Sequence, residues 1–333
     1  MKLPFSFSLK FVFRLLLPGF IVSTSLLPVL KTLLDRLHYG YSLEYAFTVS
    51  IIFVGWLFIV LDMPIYMAFE GRRYWPKWLW TFFKRQEEKR LQSLLQKNKS
   101  SQETDHRTYI ETSVEMRYFP MNELGQYQAS SPTRVGNLIT SYEDYPFRVY
   151  GMDSVFYWYR LWLSIDEDLR EHIDSQQAMV DSAIYTATAL IVSGVFLLIY
   201  ASHQLLGLEW IEHLQDTPLL FALSILSFLG CYFVYRSSIF LHAQFGETFK
   251  SLFDTHRNKV SVEDIIDEIV SITGDPTHKV KSSKEKYMIA WRYLHNYRLR
   301  IGDRVISPPE FFGRGSADTA TNEKQYNEGV RRK

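Results

Sequence analysis

Asp62 follows directly on an apolar run, AFTVSIIFVGWLFIVL from Ala46 to Leu61, which continues through Asp62 and Pro64 toward Phe69. A carboxylate in hydrocarbon is costly, and acids kept there mark ion or proton paths. Pro64 cannot donate a backbone hydrogen bond and so frees a carbonyl in the same stretch. The acid also lies near the end of the run, where it can reach the interface or pair with Arg72 or Arg73. Two readings stay open, an intramembrane acid and an interfacial ion pair.

The densest chemistry comes later, in SPTRVGNLITSYEDYPFRVYGMDSVFYWYRLW from Ser131. Arg134, Asn137, Tyr150, Asp153 and Arg160 are its candidate site residues. Pro132 and Gly136 suit a backbone turned tightly, around a ligand or at a structural junction. In the second case Arg134 and Asp153 would hold the junction by charge-assisted hydrogen bonds. Further on, His172 and Gln176 interrupt an apolar stripe, where polar residues set register, sense pH or simply bond within a core. His172 lies eleven residues before Ala183 and Glu247 eleven after Arg236. Equal helical rise would put this stalk pair at one depth, and a facing carboxylate would favour the charged imidazole. On a short loop, Glu209, Glu212 and His213 could bind a cation or be merely solvated.

No phosphate-cradling glycine loop, nucleophile elbow or HExxH pair accompanies these groups. The single cysteine, Cys231, lies in an apolar run and excludes both an internal disulfide and a cysteine metal cluster. No cofactor and no metal are expected. The formal net charge is +1, which gives no general pull toward nucleic acid.

Four apolar runs must position these residues. AIYTATALIVSGVFLLIYAS (183–202) and TPLLFALSILSFLGCYFVY (217–235) carry no charge. At ~1.5 Å per residue each covers the ~30 Å of a bilayer core. The stretch Leu15–Leu30 is long for a signal core and lacks a cleavage site, so it reads as a first span. The run from Ala46 is the second. Nine lysines and arginines fall between Arg72 and Lys99, and none between His203 and Asp216. Basic residues favour the cytoplasmic side, which predicts both termini and the middle segment inside.

The mean hydropathy of −0.11 requires a large water-facing part to offset the spans. Trp75–Lys97 alternates aromatic and basic clusters and predicts a helix along the inner leaflet; NKSSQETDHR after it suits a flexible connection. Val155, Trp158, Trp162, Ile165, Leu169, His172, Gln176, Met179 and Ala183 recur at three and four, predicting one helix running into span three. Phe245, Phe249, Leu252 and His256 continue span four in the same way. Helices are predicted near Val262–Ile272 and from Ser283 to about Ile301, with a disordered tail after Phe312.

The fold expected is mainly α: a polytopic membrane protein with four transmembrane helices in two hairpins, a cytosolic middle domain and a helical stalk extending spans three and four. Its divisions are 1–70 (first hairpin), 71–154 (middle segment), 155–258 (stalk and second hairpin), 259–312 (C-terminal helices) and 313–333 (tail).

PTRVGN (Pro132–Asn137), YPFRVYGMD (Tyr145–Asp153) and WYRLW (Trp158–Trp162), ahead of a hairpin and FGETFKSLFDTHR (Phe245–Arg257), resemble a family of bacterial multi-span membrane proteins of uncharacterised function. The resemblance covers roughly residues 130–300; Val149 departs from the family pattern between Arg148 and Tyr150. It implies a membrane protein without an assigned activity. The functional expectation is therefore a non-enzymatic scaffold or sensor in the plasma (inner) membrane. An oligomeric channel or transporter around Asp62 is the alternative, and an enzyme acting on lipid headgroups through Arg134, Asp144 and Asp153 is the third. Expected partners are the lipid bilayer, a second copy through the stalk and a cytosolic protein.

Overall fold

The computed structural model describes residues 11–37, 42–122, 124–206, 217–274, 276–296, 299–301 and 304–306. The 203–216 loop beyond Leu206, with Glu209, Glu212 and His213, and the tail after Phe312 lie outside them. The chain is mainly helical and divides into two compact units, Met1–Val260 and Ser261–Lys333.

In the first unit four helices are long and apolar enough to cross a membrane: Val12–Arg36, Leu43–Val60, Glu167–Leu205 and Thr217–Lys259. A π-helical turn, Val12–Leu16, leads into α1 (Leu17–Leu37), and α2 is Leu43–Val60. They approach backbone to backbone, because a Cβ on Gly19 would meet the Ile51 carbonyl and one on Gly55 the Leu15 carbonyl. Ser23 Oγ and Ser50 Oγ share a hydrogen bond at 2.9 Å beside this crossing. Small residues and hydroxyls are what membrane helices use to pack, since lipid gives apolar surfaces no reason to prefer each other.

Leu61 breaks the second apolar run, and α3 (Asp62–Glu70) starts anew at Asp62. Pro64 falls in the first turn of α3, where its missing N–H costs nothing. The helix α4 (Lys77–Ser101) follows, with α5 (His106–Met116), α6 (Arg134–Tyr150) and α7 (Ser154–Ser164). The expected flexible connection at Asn98–Arg107 is largely helix instead. Asn98 Nδ2 donates to the Tyr109 carbonyl, Thr112 and Ser113, and Leu91, Leu94, Met116 and Phe119 close a small core between α4 and α5.

The two long helices, α8 (Glu167–Leu205) and α9 (Thr217–His256), make the most extensive helix pair. Their register is antiparallel. Ser224 Oγ donates to the Gly194 carbonyl at 2.8 Å, the Phe228 ring covers Gly194, and Leu190 covers Gly230. At ~1.5 Å per residue each helix approaches ~60 Å, about twice the hydrocarbon thickness. The stripe from Val155 does not run into α8 as one helix. The backbone turns extended at Ile165 and Asp166, where Glu167 and Asp168 supply the acidic first turn that favours a fresh start. Ile165 is buried at the break, while Val155 (74% exposed) and Met179 (49%) lie off the packed face. The aromatic core beside α9 forms where Tyr142 meets Phe245 and Phe249, and Trp158 stacks on Phe249 at 4.8 Å.

In the second unit, α10 (Glu263–Thr273), α11 (Thr277–Val280) and α12 (Ser283–Asn296) enclose Ile266, Ile269 and Tyr293. The last helix is shorter than expected: Leu299–Ile301 pairs as β1 with β2 (Arg304–Ile306).

Candidate functional site

The strongest concentration of buried charge lies where the first helix, α3 and α8 meet. Asp181, 7% exposed on α8, accepts hydrogen bonds from Arg14 and from the Tyr66 hydroxyl, the latter at 2.6 Å. One turn further along α8, the Tyr185 hydroxyl donates to Asp62 at 2.7 Å. Arg14 also lies 3.8 Å from Asp174. Three carboxylates, two phenols and one guanidinium thus tie three segments that the sequence places far apart. Next to them, His242 on α9 is fully buried, its ring 6.3 Å from that of Tyr66. Its Nδ1 lies 2.7 Å from the Ser238 carbonyl, and Nε2 has no partner among the described residues.

Of this cluster the sequence pointed only to Asp62. Asp181 and Arg14 flank apolar runs, an ordinary place for a charged residue. The available signal is their opposite charge at the starts of two apolar runs. Tyr66, Tyr185 and His242 carry no such mark.

PTRVGN builds a second constellation. Thr133 caps α6, accepting from the Gly136 N–H at 2.9 Å. Asn137, 1% exposed, accepts from the N–H groups of Ser130 (2.9 Å) and Ser131 (2.8 Å) and donates to the Ser131 carbonyl at 3.0 Å. The residues before α6 are thereby folded back on its first turns. The Ser131 hydroxyl donates to the Glu70 carbonyl, and a Cβ on Gly136 would strike that same carbonyl. Here α3 and α6 touch, which explains the glycine. Around this contact, Glu70 meets Arg72 at 2.5 Å, and Arg72 reaches on to Glu143 at 2.7 Å. Burial, with Glu143 adding, lifts the Glu70 carboxyl to about 7 against the pull of Arg72. Glu87 on α4 faces Arg134 at 3.7 Å and Arg90 at 3.5 Å, and burial raises its pKa too. Burial and neighbouring Arg90 lower that of Arg134.

The remaining candidates are dispersed. Arg134 and Asp153 do not act together: Asp153 caps α7 by accepting from the Phe156 N–H at 2.8 Å, while Arg134 faces Glu87. Tyr150 joins Tyr145 in donating to one oxygen of Asp254, at 2.7 and 2.9 Å, with Arg257 over the Tyr150 ring. Arg160 lies over the Phe156 ring at 3.7 Å and donates to that residue's own carbonyl. It serves its own helix.

His172 and Glu247 are not partners. His172 contacts Gln176 at 3.1 Å and Glu247 pairs with Lys250 at 2.5 Å. Extending the Gly194–Ser224 register does bring positions 172 and 247 to one depth. Rotation separates them, because Ile173 takes the buried position and His172 is exposed.

Among the described residues no cluster of histidine, cysteine and acids has metal-binding geometry. No protein-family model, curated protein or solved structure matches the chain.

Proposed function

We propose that this chain is a non-enzymatic integral membrane protein that scaffolds or senses through helices on the cytoplasmic side of the plasma (inner) membrane. In this reading α1–α2 and α8–α9 are two hairpins with both termini inside. The lower parts of α8 and α9 form a stalk, and α4–α7 form the cytosolic middle portion. The basic residues between Arg72 and Lys99 support that orientation. So do Trp78 and Phe82, exposed at the start of α4 as a surface-lying helix requires.

The Asp181 tie carries the functional reading. Its carboxylate is spent on Arg14 and Tyr66 and so locks three segments together. A lock of this kind transmits movement of one span to the others, which suits a scaffold or sensor. Val155, Tyr159 and Leu163 form an exposed apolar stripe on α7, the surface we assign to a protein partner or a second copy.

The second reading, a proton or cation pathway, draws on Asp62 and on the orphan Nε2 of His242 beside Tyr66. Liposomes containing the purified chain separate the two. With a pH or cation gradient imposed, a scaffold or sensor leaves it intact. Dissipation by the native protein that Asp62→Asn or Asp181→Asn abolishes would replace our reading with transport. Orientation is checked in a Cys231→Ser background: a cysteine at Gln215 should label from outside intact cells and one at Gln102 should not.

A further inference from the structure

Beside the start of α6 a cavity of about 580 Å³ opens between α3, α4, α8 and α9. That volume falls within the ~300–1,000 Å³ of ordinary ligand sites. Its chemistry changes along its length. One end is lined by Ile191 and Tyr232, which belong to the uncharged runs of α8 and α9. The other end holds Arg134, Arg236 and Glu87, with Trp75 and Phe83 on the wall.

We propose that this groove holds one anionic glycerophospholipid, its phosphate between Arg134 and Arg236 and an acyl chain along Ile191 and Tyr232. The polarity gradient fits such a molecule. Tyr232 lies inside the uncharged run 217–235 and Arg236 just past it, ~6 Å further along the helix. On the membrane placement proposed above, the apolar end therefore lies within the hydrocarbon and the arginines at its edge. Arg236 is exposed and makes no hydrogen bond or ion pair among the described residues. A guanidinium left free at the end of a span is a ready phosphate ligand, able to bond two oxygens at once.

Glu87 lies 3.7 Å from Arg134 but does not cancel the pair, because its carboxylate is shared with Arg90 and Asn137 and Arg236 has no acid beside it among the described residues. Two arginines against one shared acid favour a lipid with net negative charge over a zwitterionic one. The first-turn amides of α6 are not invoked, since Thr133 already caps that end. Trp75 and Phe83, ring to ring at 5.6 Å, add the aromatic surface typical of the headgroup level.

Native mass spectrometry of the full chain, released from detergent with equimolar phosphatidylglycerol and phosphatidylcholine, tests the proposal. One phosphatidylglycerol per chain should be retained, in roughly tenfold preference. Arg236→Gln should bring that preference to parity while leaving the melting temperature unchanged, because Arg236 supports no other contact. Arg134→Gln should reduce the preference likewise, whereas Arg85→Gln, outside the groove, should keep it. Equal retention of the two lipids overturns the proposal, as does a preference that survives in both groove variants. Displacement of the lipid by millimolar glycerol phosphate would assign the site to a soluble anion and also overturn it. So would a lipid-free dimer in which a second copy covers the groove.

Discussion

The Tyr66 hydroxyl on α3 donates to Asp181 on α8 across 2.6 Å, and the same carboxylate receives Arg14. One acid thus fixes the ends of three segments. Arg14, only partly exposed, keeps no closer carboxylate than Asp174 at 3.8 Å if the acid is neutralised. Breaking a buried pair from one side costs ~3–5 kcal/mol, whereas replacing both partners by apolar groups is often neutral. Asp181→Asn should therefore lower the melting temperature in detergent sharply. Arg14→Leu with Asp181→Leu should be less destabilised than the sum of the two single changes. Additive losses in that cycle would show that the groups do not act as a pair.

Glu70 gives the first unit a specific pH response. Its folded pKa, about 7, lies above its ordinary value of 4.5. The folded protein therefore holds a proton between these values that the unfolded chain releases. Its contribution is complete below pH ~4.5 and is lost as pH rises through 7. At ~1.4 kcal/mol per unit the ceiling is ~3 kcal/mol, before any relaxation. Glu70→Gln keeps the shape and removes the titration. Melting curves from pH 5 to 8 should be flatter in this variant, with the gap in its favour widening toward pH 8. Parallel curves would acquit Glu70.

The backbone contact of α1 with α2 leaves no room for a methyl group. Alanine at Gly19 would meet the Ile51 carbonyl, and at Gly55 the Leu15 carbonyl. The obstruction is backbone on both sides, so the helices must separate rather than a side chain rotate. Either substitution should cost ~1–3 kcal/mol, the usual range for overpacking. Gly230→Ala is the contrast, since it meets only flexible Leu190 atoms at 3.4 Å or more. Thermal unfolding in one detergent would rank the three, and a Gly230→Ala as harmful as the others would contradict the explanation.

What the sequence revealed depended on whether the signal was a run or a contact. The charge-free stretches 183–202 and 217–235 made two candidate spans plain. Counting from their ends puts residues 172 and 247 at one level along the α8–α9 pair, as the Gly194–Ser224 register does. Rotation about a helix axis is finer. Ile173 and His172 differ by 100° on an ideal helix, and the alternating spacing could not choose between them. The break at Ile165–Asp166 was hidden because both sides keep apolar residues at helical intervals. Asp181 was hidden for a different reason: an acid at the end of an apolar run has an ordinary explanation as a boundary. Only the arrival of Arg14 and Tyr66 from distant segments distinguishes it. In PTRVGN the prediction of a tight turn was sound, but the partners of Arg134 and Asn137 come from α3, α4 and the preceding residues. No spacing encodes them.

Asn137 allows the turn to be tested by charge as well as by deletion. Its side-chain oxygen takes the N–H groups of Ser130 and Ser131, and its nitrogen serves the Ser131 carbonyl. Alanine removes all three bonds in a site that is 1% exposed, and each orphaned group costs ~1–3 kcal/mol. Asn137→Asp is more informative, because the ionised form keeps an acceptor but loses the donor. It also sets a carboxylate where the amide now lies 3.5 Å from Glu87. Burial and that neighbour would raise the new acid's folded pKa above its unfolded value. The protonated form can again donate to Ser131, so the variant should be closest to native stability at low pH and fall away as pH rises. Comparing Asn137→Asp with the native chain from pH 5 to 8 checks this. A deficit that stays constant with pH would mean that the Ser130–Ser131 turn is held by packing of Pro132 and Thr133, with Asn137 filling space.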